Sequence, residues 1–225
     1  MKKFFDLINK NLFQSSHFPF WQKKIANKEL PIITISREAG SGGKIIANKV
    51  AQKLGSPWKV YHKEIVNQIA KEAKLEKELI SEVDEKHIPL IDEIIFDVFG
   101  KRYLSLSTYY KHLIKILSTI ANRGYAIIVG RGGEYLLPSA LKIRIICEME
   151  QRIKWMMQFE KLTKQQAIER INLMDKKRNE FIKSIYGHDA RKAHHYDLVI
   201  RTGKNLSLDD ATDLIVALAK RRFKL

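Results

Sequence analysis

Ile32-Ile33-Thr34-Ile35-Ser36-Arg37-Glu38-Ala39-Gly40-Ser41-Gly42-Gly43-Lys44 is the stretch on which the reading of this chain turns. Pro31 opens a compact apolar strand, and the strand runs straight into a glycine-rich loop. A helical pattern follows at once, with Ile46, Val50 and Leu54 spaced by four on one face. Closely spaced glycines let backbone amides converge on phosphate oxygens, and the N-terminus of the following helix adds a favourable dipole. A tight structural turn with no ligand is the competing reading of Gly40, Ser41, Gly42, Gly43 and Lys44.

Downstream, the pattern repeats. Gly55-Ser56-Pro57 ends the first helix, and Trp58 to Tyr61 reads as a second short strand. Residues 62 to about 100 look helical, with breaks near Leu75 and Pro89, and a further helix runs from about Leu104 to Asn122. Ala126-Ile127-Ile128-Val129 is a third strand, apolar without alternation, as expected for a strand covered on both faces. Ile143 to Cys147 is the fourth, with Cys147 as a small core residue. A basic helical stretch spans about 149 to 186, and Thr163 with Gln166 forms a capping box that starts a fresh helix inside it. Asp197 to Arg201 is the fifth strand, and Ser207 with Asp210 caps a last helix that runs to about Ala219. Strands alternating with crossover helices predict a mostly parallel α/β sheet with helices on both faces.

The loop departs from known phosphate-binding patterns. The dinucleotide pattern G-x-G-x-x-G is absent, and Tyr61-His62 stands where its acidic residue is sought. The pattern G-x-x-x-x-G-K-[ST] fails in both registers. With Gly42 as its second glycine, the lysine position holds Gly43 and the hydroxyl position Lys44; with Gly43, the first glycine becomes Glu38 and the hydroxyl Ile45.

Residues 31 to about 217 nevertheless resemble the cytidylate-kinase-like family of P-loop nucleoside monophosphate kinases. The resemblance rests on the segment ending Gly40-Ser41-Gly42-Gly43-Lys44, on Ile128-Val129-Gly130-Arg131-Gly132-Gly133, on Asp175-Lys176-Lys177-Arg178, and on Tyr196-Asp197-Leu198-Val199. It implies a three-layer P-loop kinase fold with a five-stranded sheet, an acceptor-binding helical region over 62–100 and a basic helical lid within 149–186. It also implies phosphoryl transfer from ATP, with Mg, to CMP or a related nucleotide.

Phosphoryl transfer needs positioning and charge neutralisation more than a covalent nucleophile. Lys44, at the start of the loop helix, is the candidate for the donor β/γ-phosphates; a surface lysine is the alternative. By resemblance Arg131 clamps the acceptor phosphate, although Gly132 stands where relatives carry an acid. Also by resemblance, Arg178 ends the lid's D-x-x-R segment, and spacing of three lets Asp175 orient it. A plain intrahelical ion pair is the alternative. Ile171-Asn172 replaces an R-D pair of the relatives, which shifts attention to Arg170. Arg152, just after the fourth strand, is a further candidate for a phosphate contact. His62 is a pocket residue or part of a local turn. His188, Asp189, His194 and His195 raise the question of a metal, but no metal ligand set is assigned.

Composition bounds the rest. The chain has 225 residues, 45% of them apolar, and a single cysteine, which excludes an intramolecular disulfide. Its 41 Lys plus Arg against 25 Asp plus Glu leave a formal charge of +16, a field that draws in polyanions. The basic residues are dispersed, so nucleic acid or an anionic surface is a possible but not favoured partner, reached through the termini. Residues 1–30 carry a net +4 and form a basic, aromatic arm ahead of a single domain over 31–225. Its apolar residues Phe4, Phe5, Ile8 and Leu12 suit a docked helix or a membrane-surface helix. No apolar run reaches eighteen residues, and Asp6, Asn9, Lys10 and Asn11 interrupt any secretory core. A cytosolic monomer is the expectation. A nucleotide sensor or adaptor without efficient turnover is the main rival to a kinase, and a nucleic-acid or anionic-surface binder is the third reading.

Overall fold

The computed structural model describes residues 30–62 and 108–225. The basic arm of residues 1–30 and the helical region of residues 62 to about 100 lie outside these, but for Leu30 and His62 at their edges. His87 lies outside them too, and the His112 side chain is not described.

Each expected strand forms. They are β1 (Ile32–Arg37), β2 (Lys59–Tyr61), β3 (Ala126–Val129), β4 (Leu141–Cys147) and β5 (Leu198–Thr202). Their order is β2-β3-β1-β4-β5, and every pairing is parallel. Strand β1 therefore lies at the centre, with Ile33 opposite both Ile127 of β3 and Leu141 of β4. Ile32 to Ser36 of this strand are all buried, as its compact apolar run led one to expect.

Helices cover both faces. On one side α1 (Gly43–Leu54) and α6 (Leu208–Phe223) bury Ile46, Val50 and Ile215 against Ile33, Ile35 and Ile143. On the other, α2 (Thr108–Arg123) sets Leu113, Leu117 and Ile120 against Ile32 and Ile128. The short α3 (Gly133–Leu136) and the long α5 (Lys164–Tyr186) complete that layer through Leu136, Ile182 and Ile185. This is the three-layer P-loop kinase arrangement expected from the sequence.

The basic stretch of 149–186 is two helices, α4 (Met149–Glu160) and α5. Lys161, with φ of 53°, breaks the first, and Thr163 begins the second. Both halves of the Thr163–Gln166 capping box are formed, as are both halves of the Ser207–Asp210 box before α6. Cys147 is buried, and burial pushes its thiol pKa up, as a core residue requires. Among the described residues no helix is long and apolar enough to cross a membrane.

Candidate functional site

Because every strand is parallel, the loops after β1 and β3 leave the same edge of the sheet, which is where open α/β sheets bind ligands. A cavity of about 860 Å³ lies there, within the range of small-molecule sites. The glycine loop forms one wall. Gly42 caps α1 with φ of 82°, and a Cβ there would lie 2.4 Å from a Leu208 methyl, so neither the turn nor the space admits a side chain. The amides that follow Gly42 belong to the first turn of α1, where N–H groups have no intrahelical acceptor. Lys44 is exposed at this turn and lines the cavity with Gly40, Gly42 and Gly43. The Ser41 hydroxyl is turned away, donating to the Glu38 carbonyl at 2.9 Å.

The loop after β3 forms the opposite wall. Gly130 donates its N–H to the Ile35 carbonyl at 3.0 Å, which holds the two loops together. Arg131 has a positive φ of 62° and lines the cavity, its guanidinium 5.4 Å from the Phe181 ring of α5. The Tyr186 hydroxyl donates to the Arg131 carbonyl at 3.0 Å. Gly132, at φ of 73°, lies under the same tyrosine; a Cβ there would sit 2.0 Å from the ring. In this chain a side chain at position 132 would therefore meet the Tyr186 ring.

The two helices of the basic stretch close the third side. Arg178 lines the cavity, with Nη1 donating to the Arg37 carbonyl at 3.2 Å and lying 3.7 Å from Asp175. Burial lowers its pKa from the ordinary arginine value, and Asp175 opposes that shift. The expected Asp175–Arg178 pairing is present, but it is the looser of Asp175's contacts. Asp175 accepts the Ala39 N–H at 2.7 Å and pairs closely with Arg152.

Arg152 corrects the sequence-based expectation. It is only 6% exposed and does not line the cavity. Its Nε donates to the Ala39 carbonyl at 2.6 Å, and Nη1 lies 3.6 Å from Glu38. It braces the glycine loop, because a buried guanidinium needs acceptors and this loop and Asp175 supply them. Ile171 is fully buried in a cluster with Ala39, Ile153, Met156 and Ala167. Arg170 faces the cavity but pairs with Glu160 at 2.5 Å.

Other residues converge without having been singled out. Arg37, Glu134 and Arg144 all line the cavity. Arg144 carried a signal, since it is a charge flanked by Ile143, Ile145 and Ile146 in the interior of a strand, Leu141-Lys142-Ile143-Arg144-Ile145-Ile146. Its Nη1 donates to the Ser36 hydroxyl at 3.1 Å. His62 lines the cavity as well. His188 stacks on Tyr135 at 4.7 Å, with His195 4.9 Å from His188 and 4.3 Å from His194. Asp189 instead faces Arg191 at 2.8 Å, so the histidines and Asp189 do not converge as ligands. Among the described residues no group of three or more His, Cys, Asp or Glu is placed to hold a metal.

Comparison with known proteins follows the same outline. An uncharacterized protein from Eubacterium ventriosum has a crystal structure that matches with a TM-score of 0.69 at 23% identity, over 86% of this chain and 99% of that one. That likeness concerns the fold. Dephospho-CoA kinase from Campylobacter jejuni matches with a TM-score of 0.39 at 19% identity, over 86% of this chain and 99% of that one. A stretch of 113 residues, 49% of this chain, is 28% identical to uronate isomerase of Corynebacterium glutamicum. The chain spans only 21% of that curated relative's length. The profile of the cytidylate kinase-like family matches residues 32–204, from the first strand of the sheet past the last. With the loop, the Gly130-Arg131 turn and the Asp175–Arg178 helix all inside that span, the chain belongs to the cytidylate kinase-like family.

Proposed function

We propose that the protein transfers a phosphoryl group from ATP to a nucleoside monophosphate, CMP or a related nucleotide. The observation that carries this reading is the convergence of Lys44, Arg131 and Arg178, from three separate walls, on one cavity of about 860 Å³. An oxygen of the acceptor's own phosphate attacks the γ-phosphorus of ATP, the bond to the β–γ bridging oxygen breaks, and ADP leaves with the nucleoside diphosphate. No general base is needed for an acceptor that is already ionised.

The chain's work in this scheme is positioning and charge compensation. Lys44 and the first-turn amides of α1 hold the donor β- and γ-phosphates. Arg131 holds the acceptor phosphate, bidentately if the guanidinium lies flat against it. Arg178 faces the transferring group, and Asp175 holds Arg178 and the Ala39 amide in register. Magnesium arriving with the nucleotide would supply charge neutralisation, held by phosphates and water more than by Ser41, whose hydroxyl is committed to the Glu38 carbonyl.

A nucleotide sensor with little turnover is the second reading. It draws support from Ile171 in the lid core and from the commitment of Arg152 to the loop. Incubation with Mg-ATP and each nucleoside monophosphate in turn, with the diphosphate products resolved, separates the two. Formation of a nucleoside diphosphate in step with ADP supports the kinase. Saturable ATP binding with no such product supports the sensor.

A further inference from the structure

Glu134 is the second residue of α3, three positions beyond Arg131 on the same loop. It is 3% exposed, and its Oε2 is buried without a hydrogen bond among the described residues. A buried carboxylate oxygen left in this state is costly, and folded proteins keep few of them. The surrounding polar groups are largely committed to one another. The Ser36 hydroxyl accepts from Arg144 Nη1 at 3.1 Å, lies 3.2 Å from the Tyr196 hydroxyl and also hydrogen-bonds to the Glu134 carboxyl, and Arg144 lies 5.5 Å from the Tyr196 ring. Tyr196 also donates to the Ala190 carbonyl at 2.8 Å.

Glu134 lines the cavity, as do Arg131 and Arg144, and the terminal torsion of a glutamate is broad and roughly two-fold, so either oxygen can be presented. Three kinds of ligand group could meet it there. A phosphate would be repelled by the carboxylate. Burial pushes the Glu134 carboxyl's pKa up, opposed by the charges of Arg37 and Arg144, and those two guanidiniums would repel a divalent cation. A neutral N–H or O–H donor suffers neither penalty and completes the orphaned oxygen.

We propose that Glu134 is the specificity-determining residue for the acceptor nucleoside, its Oε2 accepting a hydrogen bond from an amino or hydroxyl group of the ligand. This rests on the kinase reading, which puts the acceptor phosphate on Arg131. A site built to bond a donor rejects the analogue that lacks it far more strongly than an apolar pocket rejects a missing methylene.

The test is equilibrium binding of CMP, UMP and dCMP to the full chain and to Glu134→Gln and Glu134→Ala, without any need for turnover. UMP replaces the base amino group by an oxo group, and dCMP lacks the 2′-hydroxyl, so the analogue that is rejected identifies the donor. The wild type should bind CMP at least about tenfold more tightly than one of the two. In Glu134→Ala that ratio should fall towards one, with Glu134→Gln intermediate and Mg-ATP binding unchanged in both. If the alanine variant fails to fold, the isosteric glutamine variant carries the test. An undiminished ratio in the variants, or no discrimination by the wild type, overturns the role of Glu134 and leaves the kinase reading standing. Failure of the wild type to bind any of the three, alongside no diphosphate product, overturns both.

Discussion

Asp175, in the middle of the helix that closes the cavity, accepts the backbone N–H of Ala39 in the phosphate loop at 2.7 Å, across 136 positions of sequence. The same carboxylate pairs with Arg152, whose Nε holds the Ala39 carbonyl at 2.6 Å. Both polar groups of one loop peptide unit's residue are thus tied to the helical hairpin. Glu38 extends the brace, accepting the Cys147 N–H at 3.0 Å.

Asp175→Ala should therefore destabilise the fold and not only the chemistry. It leaves Arg152 buried with Glu38 as its remaining carboxylate, and removing one partner of a buried pair costs about 3 kcal/mol or more. Adding Arg152→Met should recover much of that loss, since an apolar replacement leaves no stranded charge. Urea unfolding of the two variants measures both steps. A double variant no more stable than Asp175→Ala would contradict the brace.

Gly132→Ala tests the other wall. The added Cβ would lie 2.0 Å from the Tyr186 ring at a backbone φ of 73°. A cost of roughly 2 kcal/mol is expected from the left-handed backbone and the overpacking together. Tyr186→Phe, which removes only the bond to the Arg131 carbonyl, should cost about 1 kcal/mol. Gly132→Ala should also displace Arg131 and weaken nucleoside monophosphate binding, whereas ATP binding should hold; calorimetric titration with each nucleotide reads the difference.

How far the sequence carried this picture differs from element to element. Strand β3 was legible because a strand buried on both faces has no reason to alternate, and β1 because a compact apolar run opens after Pro31. The caps at Thr163 and Ser207 were legible because their partners lie three residues away. The family resemblance led to the wall residues Lys44, Arg131 and Arg178. What escaped were contacts made across more than a hundred positions. Arg152 reads as a candidate phosphate contact until Ala39 and Glu38 are seen around it. Ile171 reads as a lost arginine, but it packs the hairpin against Ala39. Glu134 follows two glycines and has no periodic pattern of its own, so its burial depends on a layer assembled from α2, α5 and the sheet.

Arg178 should separate catalysis from stability. Its guanidinium contacts the Arg37 carbonyl and stands off Asp175 at 3.7 Å, so the fold rests little on it. Arg178→Ala should lower kcat by about a hundredfold or more, the scale of losing one preorganised donor to a developing charge. Unfolding free energy should change by only about 1 kcal/mol, the scale of one hydrogen bond. The acceptor KM should move much less than kcat. A kcat that falls only in proportion to lost folded protein would remove Arg178 from the machinery.

The stacked histidines impose a pH dependence that can be worked out in sign. His195 packs edge-on to Tyr135 at 5.2 Å and beside His188 and His194, with Lys192 and Lys142 acting on it as well. Burial, then these positive or titrating neighbours, lower its pKa from 6.5 to about 4. Between those values the unfolded chain holds a proton that the folded chain does not, so stability rises with pH across the window. The contribution is complete above about pH 6.5 and is lost as pH falls through about 4. Asp189 does not confuse the reading, because Arg191 holds its carboxyl well below the usual carboxylate range and it stays ionised throughout. Urea unfolding at intervals from pH 7.5 to 4.5 should show the wild type losing stability more steeply than His195→Gln, which has no proton to take up at that position. Parallel curves for the two proteins would mean that His195 titrates as it does in the unfolded chain, and that its packing against Tyr135 does not hold it neutral.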